Sequence, residues 1–118
     1  MATQHPIWTL TKKIDTPQNI SAVLDTNETA LVSYIDGKDI FTLTNQRILL
    51  SDSQGLFGSE HTLYVLPVSK IEAYSLQQAN LQKNTLTIDT WNDQYIFKLD
   101  HSIDPNELLK LLAQAMAR

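Results

Sequence analysis

The sequence predicts a mainly β fold, a seven-stranded antiparallel sandwich or barrel capped by one C-terminal helix, with a short helix near its start. Three observations carry that prediction. Between Thr29 and Leu99, short runs rich in Val, Ile, Thr, Tyr and Phe are broken by polar turns about every ten residues. From Ile103 onward the apolar positions switch to helical spacing behind a strong start signal. The 118 residues show no break in composition, which suits a single core. We divide the chain into an apolar N-terminal segment, 1–14, and a domain, 15–118.

Each element has its own reason. In the first segment Ile7, Trp8, Leu10 and Ile14 are too apolar for a loose tail, so they pack against a neighbour or cover a sheet edge. Thr16-Pro17 reads as a helix start, Thr16 as cap and Pro17 at the first helical position, with Ile20, Val23 and Leu24 on one face. Strands are expected over Ala30 to Ile35 and Asp39 to Leu43, turned by Asp36-Gly37, and over Arg47 to Asp52. A hairpin loop, Ser53 to Glu60, leads to Leu63 to Leu66, where Pro67 marks an edge or a strand end because it cannot donate to a ladder. Ile71 to Leu76 is the fifth strand. In the final pair Leu86, Ile88, Tyr95, Phe97 and Leu99 alternate inward, and an Asn92-Asp93 turn joins the two strands. Its flanking Trp91 lies over the rim and, like Trp8, reads as a packing anchor.

The closing helix has Asp104 as cap, Pro105 at its first position and Glu107 placed to reach back to the cap N–H. Ile103 and Leu108 suit a hydrophobic staple, and Leu108, Leu112 and Ala115 form the centre of a wide apolar stripe. The predicted core is Leu43, Ile48, Leu50, Leu63, Val65, Ile71, Leu86, Ile88, Phe97, Leu108 and Leu112.

Composition excludes several functions. Cysteine is absent, which removes disulfides, thiolate metal sites and cysteine nucleophiles together. Nine basic residues stand against 13 acidic ones, a net charge of -4, and the one adjacent basic pair is Lys12-Lys13, so nucleic acid is not an expected partner. With no secretory run and no membrane-length apolar stretch, the chain reads as a soluble cytoplasmic protein. His5, His61 and His101 share no metal-binding spacing, neither a Gly-x-Ser-x-Gly nor a phosphate-loop Lys occurs, and Ser51, Asp52 and Ser53 alternate faces of a strand. We expect no catalytic residue, metal or cofactor.

The run Ile40-Phe41-Thr42-Leu43-Thr44-Asn45-Gln46-Arg47-Ile48-Leu49-Leu50-Ser51-Asp52-Ser53-Gln54-Gly55, followed by Gly58, Leu66-Pro67 and Ser69-Lys70-Ile71, resembles the bacterial pleckstrin-homology-like domains. The sharpest matches are the Thr-Asn-x-Arg turn and the x-Gln-Gly-x-x-Gly loop. Thr44 and Asn45 suit turn backbone groups, and Arg47 can lay its stem on the sheet with its guanidinium free. Such domains tend to continue after Gly58 with basic residues, where this chain has Ser59-Glu60.

The resemblance implies a non-enzymatic scaffold or protein-interaction module whose relatives often form homo-oligomers. Strand edges, the outward residues of the first two strands and the apolar N-terminal segment would supply the surface. The interaction candidates are Trp8, Tyr34, Arg47, Leu56 and Phe57, the last two forming either a partner-binding knob at a loop tip or a flap over the core. The alternative is an anionic-lipid or membrane-surface module. The first hairpin argues against it, because Lys38 lies between Asp36 and Asp39.

Overall fold

The computed structural model describes residues 3–4, 7–54 and 60–117. In chain order the strands are β1 (Thr3–Gln4), β2 (Trp8–Leu10), β3 (Lys12–Ile14), β4 (Ala30–Asp36), β5 (Asp39–Thr44), β6 (Arg47–Gln54), β7 (Glu60–Pro67), β8 (Ala73–Gln77), β9 (Asn84–Asp89) and β10 (Asp93–Leu99). Two helices, α1 (Gln18–Ser21) and α2 (Pro105–Met116), complete the described residues with a 3-10 turn, Val68–Lys70. All seven expected strands are present. The fifth starts later than expected because the chain first winds through the 3-10 turn, which leaves Ile71 buried at its exit.

The strands form two sheets and not a closed barrel. One runs β3-β4-β5-β6-β7, and the other runs β10-β9-β8 with β1 and β2 both lying parallel to β10. At Thr11 the N-terminal chain leaves one sheet and joins the other. Its N–H and hydroxyl both donate to the Ile35 carbonyl, at 2.8 and 2.9 Å, while Leu10 O accepts from Asp100 N–H at 2.9 Å and Thr11 O accepts from the Ser102 hydroxyl at 2.8 Å. Of the readings open for the N-terminal segment, covering an edge is the observed one, and it covers two.

Packing follows the alternation. Ile48 and Leu50 on β6 stand opposite Leu66 and Tyr64 on β7, and all four point toward the core. Leu63 and Val65, expected inside, therefore face outward and are 40% and 46% exposed. The run Leu63-Tyr64-Val65-Leu66 is apolar on both faces, so pattern alone cannot choose its register. Across the middle, Trp8 stacks on Phe97 at 5.6 Å, and Phe97 meets Phe41 edge-on at 5.1 Å. Offset and edge-on pairs of this kind add to what burial alone contributes.

The helices differ in part from expectation. Asp104 caps α2 by accepting from Asn106 N–H at 2.9 Å, and Pro105 sits at the first position. Glu107 does not complete a capping box. It takes Lys13 Nζ at 2.9 Å, which ties the helix to β3. At α1, Pro17 occupies the cap position, and the Thr16 hydroxyl pairs with the Ser33 hydroxyl at 2.9 Å instead of capping. One turn buries only Ile20 of the expected face, leaving Val23 47% exposed.

Leu112 lies on the apolar stripe of α2 and is 1% exposed. Truncation by Leu112→Ala should cost about 2–5 kcal/mol in urea or thermal unfolding, whereas Lys110→Ala on the same helix should change stability by under about 0.5 kcal/mol. Equal effects of the two would contradict this seating of the helix.

Candidate functional site

The Thr44-to-Arg47 turn joins three stretches of chain: itself, segment 23–29 and Val68, whose N–H donates to Gln46 O at 2.9 Å. Thr44 Oγ1 accepts from the N–H groups of Gln46 and Arg47, at 3.0 and 2.9 Å, and donates to Glu28 Oε2 at 2.6 Å. Asn45 Oδ1 accepts from Thr29 N–H at 2.9 Å, and its amide donates to Asn27 O at 3.2 Å. Arg47 Nε donates to Glu28 Oε2 at 2.8 Å, and its terminal nitrogen donates to Glu28 Oε1 at 2.9 Å and to Val23 O at 3.0 Å. The guanidinium, expected to be free, is engaged on both carboxylate oxygens. Such a fork supplies orientation as well as energy.

Glu28 is the centre of this junction, with its side chain fully covered. Burial alone would push its carboxyl upward. The hydrogen bonds from Arg47, Thr44 and Asp25 N–H outweigh that and hold it below its ordinary value. Arg47 clamps segment 23–29 onto the outer face of the β3–β7 sheet, where Leu49 and Ile20 are also buried. Its partner Glu28, 19 residues away in the chain, carries no local signal by which sequence reasoning could have found it.

The other interaction candidates fall in different places. Trp8 and Tyr34 are core residues, 4% and 1% exposed, so neither ring is offered to a partner. Trp8 packs against Phe97 and Tyr64, and Tyr34 against Phe41. Among the described apolar residues of the N-terminal segment, only Ile7 is substantially exposed, at 51%. Leu56 and Phe57 lie outside the described residues, as do Gly55 and Gly58 of the glycine loop.

No cluster of three or more metal-ligating side chains occurs among the described residues, and no helix there is long and apolar enough to cross a membrane. His61 lies on β7 and His101 in an exposed turn, where Asp100 Oδ1 accepts from Ser102 N–H at 3.1 Å. That hydrogen bond holds the Asp100 carboxyl below its ordinary value and accounts for the dipeptide as turn chemistry.

What the surface does offer is strand edge. The N-terminal strands occupy the outer edges of β4 and β10, and β7 and β8 end their sheets with no strand beyond them among the described residues. The central residues of β7, Thr62 to Leu66, and all of β8 carry no charge. On the outer face beside β7 lie Leu63 and Val65, opposite Ser51 and Leu49. Trp91, expected to pack at the rim, is instead 86% exposed. The turn presenting it is held by Thr90 N–H to Asp93 O at 2.9 Å and Asp93 N–H to Thr90 Oγ1 at 3.1 Å.

Residues 7–117 match the family model described as Bacterial PH domain. Among solved structures, a pleckstrin-homology-domain protein from Shewanella loihica PV-4 superposes with a TM-score of 0.79 at 22% identity, over 85% of this chain and 89% of that one. A pleckstrin homology domain from Shewanella amazonensis SB2B gives 0.68 at 21% identity, over 86% and 85% of the two chains. A PH-domain-containing protein from Exiguobacterium sibiricum 255-15 gives 0.57 at 16% identity, over 93% of this chain and 63% of that one. No curated protein matches the chain.

Replacing Arg47 by Met should leave the covered Glu28 carboxylate without its countercharge and cost about 3 kcal/mol in urea unfolding at neutral pH. Because the Glu28 value is lowered on folding, its contribution is complete above the ordinary 4.5 and is lost as the pH falls through the lowered value. The Arg47→Met penalty should therefore shrink in acid. A neutral-pH cost under about 1 kcal/mol would show that the clamp is not needed.

Proposed function

The chain belongs to the bacterial PH domain family, and from that premise we propose that it is a non-catalytic protein-interaction module that assembles with copies of itself through the open edges of its sheets. The observation that carries this reading is the asymmetry of the four edges. Two are closed by the chain's own N-terminal strands, and two, β7 and β8, are left with uncharged central residues. Monomeric β proteins blunt such edges with charge, Pro or a bulge, because unpaired N–H and C=O groups recruit further strands. Here Pro67 stands only at the end of β7, and β8 has none of these devices.

The two edges allow two assemblies. β7 against β7 of a second copy is a two-fold contact that ends at a dimer. β7 against β8 of the next copy is a head-to-tail contact that closes into a ring or runs on. In either, Leu63 and Val65 on the outer face of β7 lose solvent when a strand and its side chains are added beside them. Anionic lipid is a weaker reading, since the exposed Lys38 at the β4–β5 turn is flanked by Asp36 and Asp39.

Light scattering at tens of micromolar should give a mass at or above that of a dimer. Val65→Glu places a charge on the exposed face of β7, and should lower that mass while leaving the melting temperature of the dissociated subunit within about 2 °C. A wild-type protein that stays monomeric throughout would overturn the assembly.

A further inference from the structure

Residues 15–29 join β3 to β4, which lie side by side and antiparallel. Such neighbours are commonly connected by about two to five residues, and connections beyond about 12–15 residues are uncommon unless they serve a function. The sheet holds without this one. Lys12, Lys13 and Ile14 pair with Ile35, Tyr34 and Ser33 before it begins, and β4 pairs with β5 as soon as it ends. The ladder is already interrupted at that end, by a register shift between Ala30 and Val32.

Few groups hold the connection down. Of residues 15–29 only Ile20 and Glu28 are buried. The N–H groups of Ile20 to Leu24 and of Glu28 donate to carbonyls three or four residues earlier, within the segment itself. Among the described residues its one main-chain bond to the rest of the chain is Asn45 N–H to Thr29 O at 3.1 Å. The other polar ties are side chains: the Thr16 hydroxyl on Ser33, and Thr44, Asn45 and Arg47 on Val23, Asn27, Glu28 and Thr29. On that side of the sheet Ser33, Thr42 and Leu49 form one row across β4, β5 and β6, and all three are buried. The Ser33 and Thr42 hydroxyls pair at 2.8 Å, and water replaces such a pair at small net cost once it is uncovered. Ile20 and Leu49 stand outside the main apolar core.

We propose that residues 15–29 are a strap that opens as one unit while the two-sheet body stays folded. A single junction, Glu28 with Arg47 and Thr44, fastens its second half, so release of that carboxylate frees Val23 to Thr29 together and leaves the Thr16–Ser33 pair as the remaining side-chain tie. Segments with few buried apolar contacts and mostly exposed backbone open at a smaller free energy than the fold as a whole. Opening brings to the surface Leu49, which stands opposite Val65 in the β6–β7 ladder, and so joins it to the exposed Leu63 and Val65. Strap opening belongs to the single chain and is independent of assembly.

Native-state hydrogen exchange of the full chain, read amide by amide at rising sub-denaturing urea, tests this. The strap reporters are the N–H groups of Ala22, Asp25 and Thr29, bonded to Gln18 O, Glu28 Oε1 and Asn45 Oδ1. They should share one opening constant, at least about tenfold larger than that of the central β9 and β10 amides. Their urea dependence should be weaker, because opening exposes little surface. Arg47→Met should speed Asp25 and Thr29 by at least about tenfold. Leu112→Ala weakens the seating of α2, which strap opening leaves intact, so it should speed the β9 and β10 amides by at least about tenfold and the strap amides by less than about twofold. The urea series on the unaltered chain decides the matter even where that variant does not fold. A strap slope equal to that of β9 and β10, or equal speeding of both groups by Leu112→Ala, would show that the segment leaves only with the whole fold and would overturn the proposal, as would unrelated opening constants for the three strap amides.

Discussion

A two-sheet sandwich has four edges, and the way the first residues close two of them governs the rest of this molecule. The crossover at Thr11 bonds to Ile35 on one side, and the flanking Leu10 and Thr11 carbonyls bond to Asp100 and Ser102 on the other, so one short stretch holds both sheets at a common corner. That corner places Trp8 against Phe97 and lets Lys13 reach Glu107 on α2. Burial then does the bulk of the stabilising, since apolar area removed from water is the largest favourable contribution in a domain of this size.

The second organising contact lies on the opposite face. Leu49 lies on the outward alternation of β6 yet is fully buried, and Glu28 and Arg47 fasten segment 23–29 down on that same side of the sheet. A covered ion pair is not by itself a large source of stability, as desolvation opposes the attraction. Its value here is positional: with four donors around one carboxylate, the segment has a single way to lie. The Thr-Asn-x-Arg turn is, in this chain, what fastens segment 23–29 to the start of β6.

The strands were legible because half-buried antiparallel strands write their burial as a period of two, and β9 and β10 do so cleanly with Leu86, Ile88, Tyr95, Phe97 and Leu99 inside. The cap of α2 was legible because Asp104 and Pro105 act within one turn. What escaped was non-local. Leu63 and Val65 were misplaced because β7 is apolar on both faces, and only its pairing with β6 sets which face is inward. Glu107 was assigned to its own helix end, but Lys13 lies 94 residues away and competes successfully for it. Trp91 was expected to pack because Trp often does, yet a two-residue turn holds it out.

The N-terminal strands are bonded to β10 and β4 through main-chain groups. Changes to their side chains would leave that pairing in place, whereas a proline at Thr11 would remove the N–H that meets Ile35 and loosen the corner where both sheets join.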